Sequence, residues 1–257
     1  MTDSDPRFAL AVALAREGGA LAARMYADLG RITAKTAIDF CTAADLAVES
    51  HIRTRVTATF ADAMIGEEGG GSADTDHVWV VDPIDGTAGY IHGTTRWCVS
   101  IAVMRAGIVE CGAIYAPRDD RLFTARRGGG AFLNGRPIGV SHLGHGAAPI
   151  VELGWSARRP LSAYCDLLHR LTAAEIEFRR HGSGALGLAE VACGLNDGYA
   201  ELHINAWDAL AGILLVEEAG GRCNDFLADN GLTQGNRLVA ATPEIYDRLY
   251  ADVRACA

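Results

Sequence analysis

No stretch of this chain reaches the roughly 18 uninterrupted apolar residues that a membrane-spanning helix requires, which excludes helical membrane proteins. The first residues, Met1-Thr2-Asp3-Ser4-Asp5-Pro6, are acidic and lack the basic-then-apolar layout of a secretory leader, so a cytoplasmic address is expected. The seven cysteines (Cys41, Cys98, Cys111, Cys165, Cys193, Cys223 and Cys256) are odd in number, and none belongs to a CxxC pair. That excludes a disulfide framework or zinc knuckle and leaves reduced, buried thiols acting as small hydrophobes. Neither HExxH nor His-x-His spacing occurs among the eight histidines, which argues against zinc or iron, and His142 and His145 read as exposed bystanders. A basic tail and a basic helical stripe are also missing, and a net charge of −9 repels a nucleic-acid backbone.

What is present is a 257-residue chain that is 49% hydrophobic and 21% charged, a composition that supports a large buried core. Residues 6 to about 29 read as a helix rich in Ala and Leu. Thr42 is placed to cap a second helix through about Phe60, because Val48, Ile52, Val56 and Phe60 recur every fourth residue. Ala63-Met64-Ile65 then runs into the glycine-rich segment 66–72, expected to be a mobile loop. Val78-Trp79-Val80-Val81 reads as a buried strand stopped by Asp82-Pro83, with further strands at 97–105 and 108–116. Arg126-Arg127-Gly128-Gly129-Gly130 reads as a sheet-edge turn with solvated arginines rather than a phosphate nest.

Beyond about residue 145 strands and helices alternate: strands at 149–153, 176–180, 198–202 and 237–241, helices at 160–173, 184–194, 206–219 and 243–254. Two subdomains sharing one cleft are therefore expected, an α+β half over 1–145 and an α/β half over 146–257.

The strongest chemical signal is Trp79-Val80-Val81-Asp82-Pro83-Ile84-Asp85-Gly86-Thr87. Two carboxylates at a strand end can ligate hard cations, and the amides of Gly86 and Thr87 can open a helix that accepts phosphate. Read alone, the same residues also describe a proline turn with solvated acids. Glu67-Glu68 precede this strand, and Asp208 opens a helix that is apolar nearly all round, where capping alone is a sufficient reason for an acid.

In combination these segments resemble the inositol monophosphatase family. Gly66-Glu67-Glu68, Asp82-Pro83-Ile84-Asp85-Gly86-Thr87, and Trp207-Asp208 followed by Glu218-Ala219-Gly220-Gly221 look like its three signature motifs, in order and at similar spacing. Lys35, Asp39, Thr42 and Asp45, and the stretch from Gly128 through Pro137, match further parts of the family pattern. The resemblance implies an alternating αβαβα layered sandwich of mixed α+β and α/β character, often dimeric, that hydrolyses small phosphorylated metabolites with two or three Mg²⁺ ions and is commonly lithium-sensitive.

Carried over residue by residue, the implied metal ligands are Glu67, Asp82, Asp85, Asp208 and the carbonyl of Ile84. Glu68 supports the ligand beside it. Gly86 and Thr87 hold phosphate, and Asp45 with Thr87 orients the attacking water. Glu201 matches the position that holds substrate hydroxyls, while His181, Ser183, Gly184 and Ala185 match the leaving-group pocket. Oxygen-only ligands favour Mg²⁺ over zinc, and bound cations reconcile an acidic protein with an anionic substrate. Inositol monophosphate is the expected substrate; histidinol phosphate, fructose 1,6-bisphosphate and 3′-phosphoadenosine 5′-phosphate are alternatives. A non-catalytic regulator of transcription or ribosome machinery is the reading from another class. No membrane or nucleic-acid partner is expected, and a homodimer is.

Overall fold

The structure, a computed structural model, describes residues 6–27, 32–34, 40–142 and 148–256; Lys35, Asp39 and His145 fall outside them. Helix α1 (Pro6–Met25) is followed by a two-stranded ribbon, β1 (Ile32–Ala34) and β2 (Phe40–Thr42), and by α2 (Ala43–Thr59). Next come β3 (Ala63–Gly66), β4 (His77–Asp85), α3 (Thr87–Ile91), β5 (Cys98–Arg105), β6 (Ile108–Ala116), β7 (Arg121–Arg126), β8 (Gly130–Leu133) and β9 (Arg136–Pro137). The remainder is β10 (Ile150–Leu153), α4 (Leu161–Ala173), β11 (Glu177–Arg179), α5 (Gly184–Ala192), β12 (Gly198–Ile204), α6 (Ala206–Glu218), β13 (Arg222–Cys223), α7 (Gly231–Gln234), β14 (Asn236–Ala241) and α8 (Pro243–Ala255).

Strands β3 to β9 form a seven-stranded sheet in sequence order, parallel only at β3–β4. The second sheet has the order β11-β10-β12-β14-β13, parallel around β10 and antiparallel where β14 pairs β12 and β13. Helices α1 and α2 cover the outer face of the first sheet, α5 and α6 fill the space between the sheets, and α4 and α8 cover the far face of the second. Five alternating layers, αβαβα, result.

The first sheet is buried on both faces, and its period of two shows why. In β4, Val78 and Val80 point into the core shared with α6, while Trp79 and Val81 point into the core under α2. Helix α6 is buried nearly all round, from Ala209 to Val216, as a helix sandwiched between two sheets must be. Thr42 caps α2 as expected, accepting from the Ala44 amide while Asp45 returns a bond to the Thr42 amide.

Two local expectations are corrected. β4 does not stop at Asp82 but continues through Pro83 to Asp85. Asp82 pairs with Ser100 and Asp85 with Cys98, so Pro83 and Ile84 sit in a bulge where no ladder amide is required. The arginines of 126–130 are not simply solvated: Arg127 pairs with Glu217 and with the Val109 carbonyl, and Arg126 lies over the Phe8 ring. The amides of Gly128 and Gly130 do form an anion nest, filled by the Glu218 carboxylate at 2.7 and 2.8 Å.

Candidate active site

The bulge at the end of β4 turns both of its acids toward one place. Asp82 accepts the Ile84 amide at 2.9 Å, which fixes the turn between the two acids. Asp208 arrives from the other side, at the third position of α6, where it accepts the Asn205 amide at 3.2 Å in a capping box. Ser100 of β5 ties this helix start to the first sheet by donating to the Trp207 carbonyl at 3.1 Å. As a result, carboxylate oxygens of Asp82, Asp85 and Asp208 lie within 4.8 Å of one another.

Three acids this close repel, and burial removes the water that would screen them. Burial, then the charges of Glu67, Asp208 and Asp85, hold the Asp82 carboxyl well above the ordinary range. Burial and the Asp208 charge push Asp85 up to about 7. Burial is likewise the largest influence raising the Asp208 carboxyl, opposed by its bonds at the start of α6. Among the described residues no Arg or His forms an ion pair with any of the three. An all-oxygen, multiply anionic, buried donor set of this kind fits a hard divalent cation. Half-buried Glu67 is not among the three acids within 4.8 Å, but its charge acts on Asp82, so it lies in their neighbourhood.

A second group with metal-ligand geometry, Glu152, His181 and Glu190, is different in kind. Arg96 bonds to both acids, Arg121 donates to Glu190 at 3.0 Å, and Asn196 bridges the two carboxylates. Two guanidiniums already balance it, so it is an ion-pair network rather than a cation site.

Thr87 opens α3 just beyond Gly86, whose φ of 87° is left-handed and where a Cβ would stand 2.5 Å from the Arg96 carbonyl. The Thr87 hydroxyl donates to the Ile84 carbonyl at 2.9 Å and lies 3.3 Å from the Asp45 carboxylate. Burial raises Asp45 to about 6 against the opposing pull of the Thr42 hydroxyl and amide. The charge of Glu68 adds to the rise at Asp45, so the two acids are near neighbours.

Beside the acids opens a cavity of about 150 Å³, lined by Asp85 and Asp208 and by Glu201, Tyr199, Trp155 and Arg180 among others. Glu201 is not a surface acid: it is 7% exposed, and the Tyr199 hydroxyl donates to it at 2.5 Å. Burial and the charges of Asp208 and Asp85 push it up to about 8. Ser183 and Gly184 line the cavity, and exposed His181 adjoins it through Glu152. Ala185 is wholly buried and reaches the site only through its amide, which donates to Asp85 at 2.8 Å. Tyr199, Trp155, Arg180 and Glu49 were not singled out from sequence. Tyr199 was within reach, since two residues along a strand from Glu201 it shares that acid's face.

Residues 3–257 match the inositol monophosphatase family. The chain belongs to that family. It is 36% identical to the protein called Nus factor SuhB in Escherichia coli K12, over 97% of this chain and 96% of that one. The suhB extragenic suppressor protein of Bartonella henselae superimposes with a TM-score of 0.89 at 31% identity, covering 97% of this chain and 99% of its own. The Thermotoga maritima IMPase follows at 0.86 and 27%, with 98% of each chain covered. These likenesses agree with the five-layer sandwich. Membership of the inositol monophosphatase family supports a metal-binding phosphatase; among the described residues no helix is long and apolar enough to cross a membrane.

Proposed function

We propose that this chain hydrolyses a small phosphomonoester, with inositol monophosphate as its substrate, to the alcohol and phosphate in the presence of two or three Mg²⁺ ions. The observation that carries this reading is the convergence of Asp82, Asp85 and Asp208 within 4.8 Å, two of them lining a cavity that Glu201 also lines. Glu67, Asp82, Asp85, Asp208 and the Ile84 carbonyl would hold the cations. Bound there, Mg²⁺ supplies charge neutralisation for the phosphoryl group and a lowered pKa for water. The chain's own residues do the rest. Amides of Gly86 and Thr87, at the opening of α3, would hold the phosphate oxygens. Asp45, poised near neutrality by burial, would take a proton from water through the Thr87 hydroxyl, and Glu68 would support the ligand beside it. Glu201 would accept hydroxyl hydrogens of the leaving alcohol, with Ser183, Gly184 and Ala185 shaping the pocket around it.

Residues 1–145 would thus bring Glu67, Asp82 and Asp85, and residues 146–257 would bring Asp208 and Glu201, in keeping with two subdomains sharing one cleft. Phosphate release from inositol monophosphate, histidinol phosphate, fructose 1,6-bisphosphate and 3′-phosphoadenosine 5′-phosphate, with Mg²⁺ and with chelator, tests the proposal. Turnover that survives the chelator would defeat it, and equal slow turnover of all four would defeat the narrow substrate. The name Nus factor carried by the Escherichia coli relative supports a second reading, a regulatory role in transcription. Normal regulation in cells whose only copy is Asp82→Asn, with phosphatase activity abolished, would favour it.

A further inference from the structure

Asp45, Glu49 and Arg53 follow one another at intervals of four along α2, so their side chains form a single ladder up one face of the helix. Glu49 is only 4% exposed, and a buried carboxylate is tolerable only where donors surround it. Those donors come from the glycine-rich turn between β3 and β4. One carboxylate oxygen accepts the Glu68 amide at 2.8 Å; the other accepts the Gly69 amide at 2.9 Å and the Arg53 guanidinium at 2.7 Å. Arg53 then reaches across the turn to the carbonyls of Gly70 at 3.0 Å and Met64 at 3.4 Å.

The approach is close enough to dictate sequence. A Cβ on Gly66 would stand 2.3 Å from the Glu49 carboxyl carbon, and one on Gly69 would stand 2.5 Å from its oxygen. These glycines are there to admit a carboxylate. The turn, expected to be a mobile loop, is held at both ends: Gly66 and Gly70 exchange backbone hydrogen bonds, and the Glu67 amide donates to Val81 of β4.

We infer that Glu49 is a positioning residue for the reaction, its carboxylate clamping the 66–71 turn so that Glu67 stays beside the acid centre and Glu68 beside Asp45. An i,i+4 ion pair with Arg53 alone would not explain why the same carboxylate takes two consecutive amides of the turn. The peptides on both sides of Glu68 are gripped, and their orientation decides where the Glu67 and Glu68 side chains point. Because Asp45 lies one helical turn away on α2, a single rigid element sets both the water-positioning acid and the turn carrying Glu67. This inference rests on the reading of Glu67 as a metal ligand.

The test is Mn²⁺ binding to the metal-free full-length protein, followed by electron paramagnetic resonance, together with amide hydrogen exchange. E49Q puts an amide donor where an acceptor is required. It is expected to weaken Mn²⁺ binding by about tenfold or more, as loss of a partner that orients a ligand does. The Mg²⁺ concentration for half-maximal phosphatase activity should rise by a similar factor, with a smaller fall in kcat at saturating Mg²⁺. Exchange should quicken at residues 67–70 while α2 and β4 stay protected. G69A, at a residue whose φ is not left-handed, crowds the same contact without touching the carboxylate and should give the same pattern even where E49Q fails to fold. Mn²⁺ affinity within about twofold of wild type in the folded variants overturns the inference, and so does exchange that quickens equally throughout α2 and β4. Failure of the wild-type protein to bind Mn²⁺ overturns the metal-centre reading itself.

Discussion

Ser183 and Asp85, 98 residues apart in the chain, meet in a buried hydrogen bond of 2.5 Å from hydroxyl to carboxylate. The same carboxylate accepts the amides of Gly184 at 3.3 Å and Ala185 at 2.8 Å, so the whole first turn of α5 is turned onto Asp85. These donors lower the pKa of an acid that burial and Asp208 raise. The segment 183–185, expected to form the leaving-group pocket, therefore also keeps an acid of the cluster available as an anion.

Removing the Ser183 hydroxyl should move that balance in a known direction. In Ser183→Ala the Asp85 pKa rises further, and Mg²⁺ must displace a more tightly held proton. The pH at which Mg²⁺ binding is half-lost should shift upward, as followed by calorimetric titration from pH 6 to 9. Loss of the α5 N-cap should add a cost of about 1 kcal/mol, a fall in Tm of roughly 2–4 °C. An unchanged pH profile with only the Tm lowered would reduce Ser183 to a helix cap.

Glu201 makes metal-free stability depend on pH. Its folded pKa of about 8 lies above the ordinary 4.5, so the folded protein holds a proton that the unfolded chain releases. The resulting stabilisation is fully present below pH 4.5 and is lost as pH rises through about 8, at about 1.4 kcal/mol per unit of displacement. Glu201→Gln abolishes this dependence while leaving an oxygen to accept from Tyr199. Its metal-free Tm should match wild type near pH 5 and exceed it by several degrees near pH 9. Parallel melting curves for the two proteins would refute the buried, protonated acid.

Thr87 is asked to link Asp45 to the attacking water, and its hydroxyl is the only part required. Thr87→Val keeps the shape of a half-buried side chain and removes the donor to the Ile84 carbonyl. Single-turnover phosphate release should slow by about 10²–10⁴, the usual worth of a positioned proton-transfer group. Far-ultraviolet circular dichroism should remain that of wild type. A loss smaller than about tenfold would remove Thr87 from the proton path.

How much of this was legible beforehand depends on the range of the physics involved. The Thr42 cap, the fourfold spacing of α2 and the unbroken apolar surface of α6 are local, and all three reappear in the fold. The acids at 67, 82, 85 and 208 were recognisable as a set because their order and spacing resemble a family pattern. Pro83 misled because proline removes a ladder donor, yet it lies in a bulge where none is needed. The glycines of 66–71 suggested mobility because a sequence does not show that Glu49, 17 residues earlier than Gly66, fills the space their missing side chains leave. The mixed second sheet was read as simple alternation, since pairing of β14 between β12 and β13 is decided by long-range packing.

Arg96 illustrates the same limit and permits a stability prediction. Ninety-four residues before Glu190, it joins that acid and Glu152 across the interior between the two sheets, a relation no local pattern announces. Glu190 is held below the usual carboxylate range, with the Arg96 hydrogen bond the largest effect opposing its burial. In Arg96→Met, Glu190 keeps Arg121 and Asn196, while Glu152 keeps only Asn196 and His181. Breaking one side of such a network costs about 3–5 kcal/mol, or roughly 6–20 °C in Tm for a domain of this size. Because Arg96 also supplies the carbonyl packed against Gly86, the loss should reach the turn that opens α3 and weaken inhibition by inorganic phosphate. Adding Glu152→Gln and Glu190→Gln removes the stranded charges and should restore much of the stability. A single variant as stable as wild type would mean that water, not Arg96, satisfies these acids.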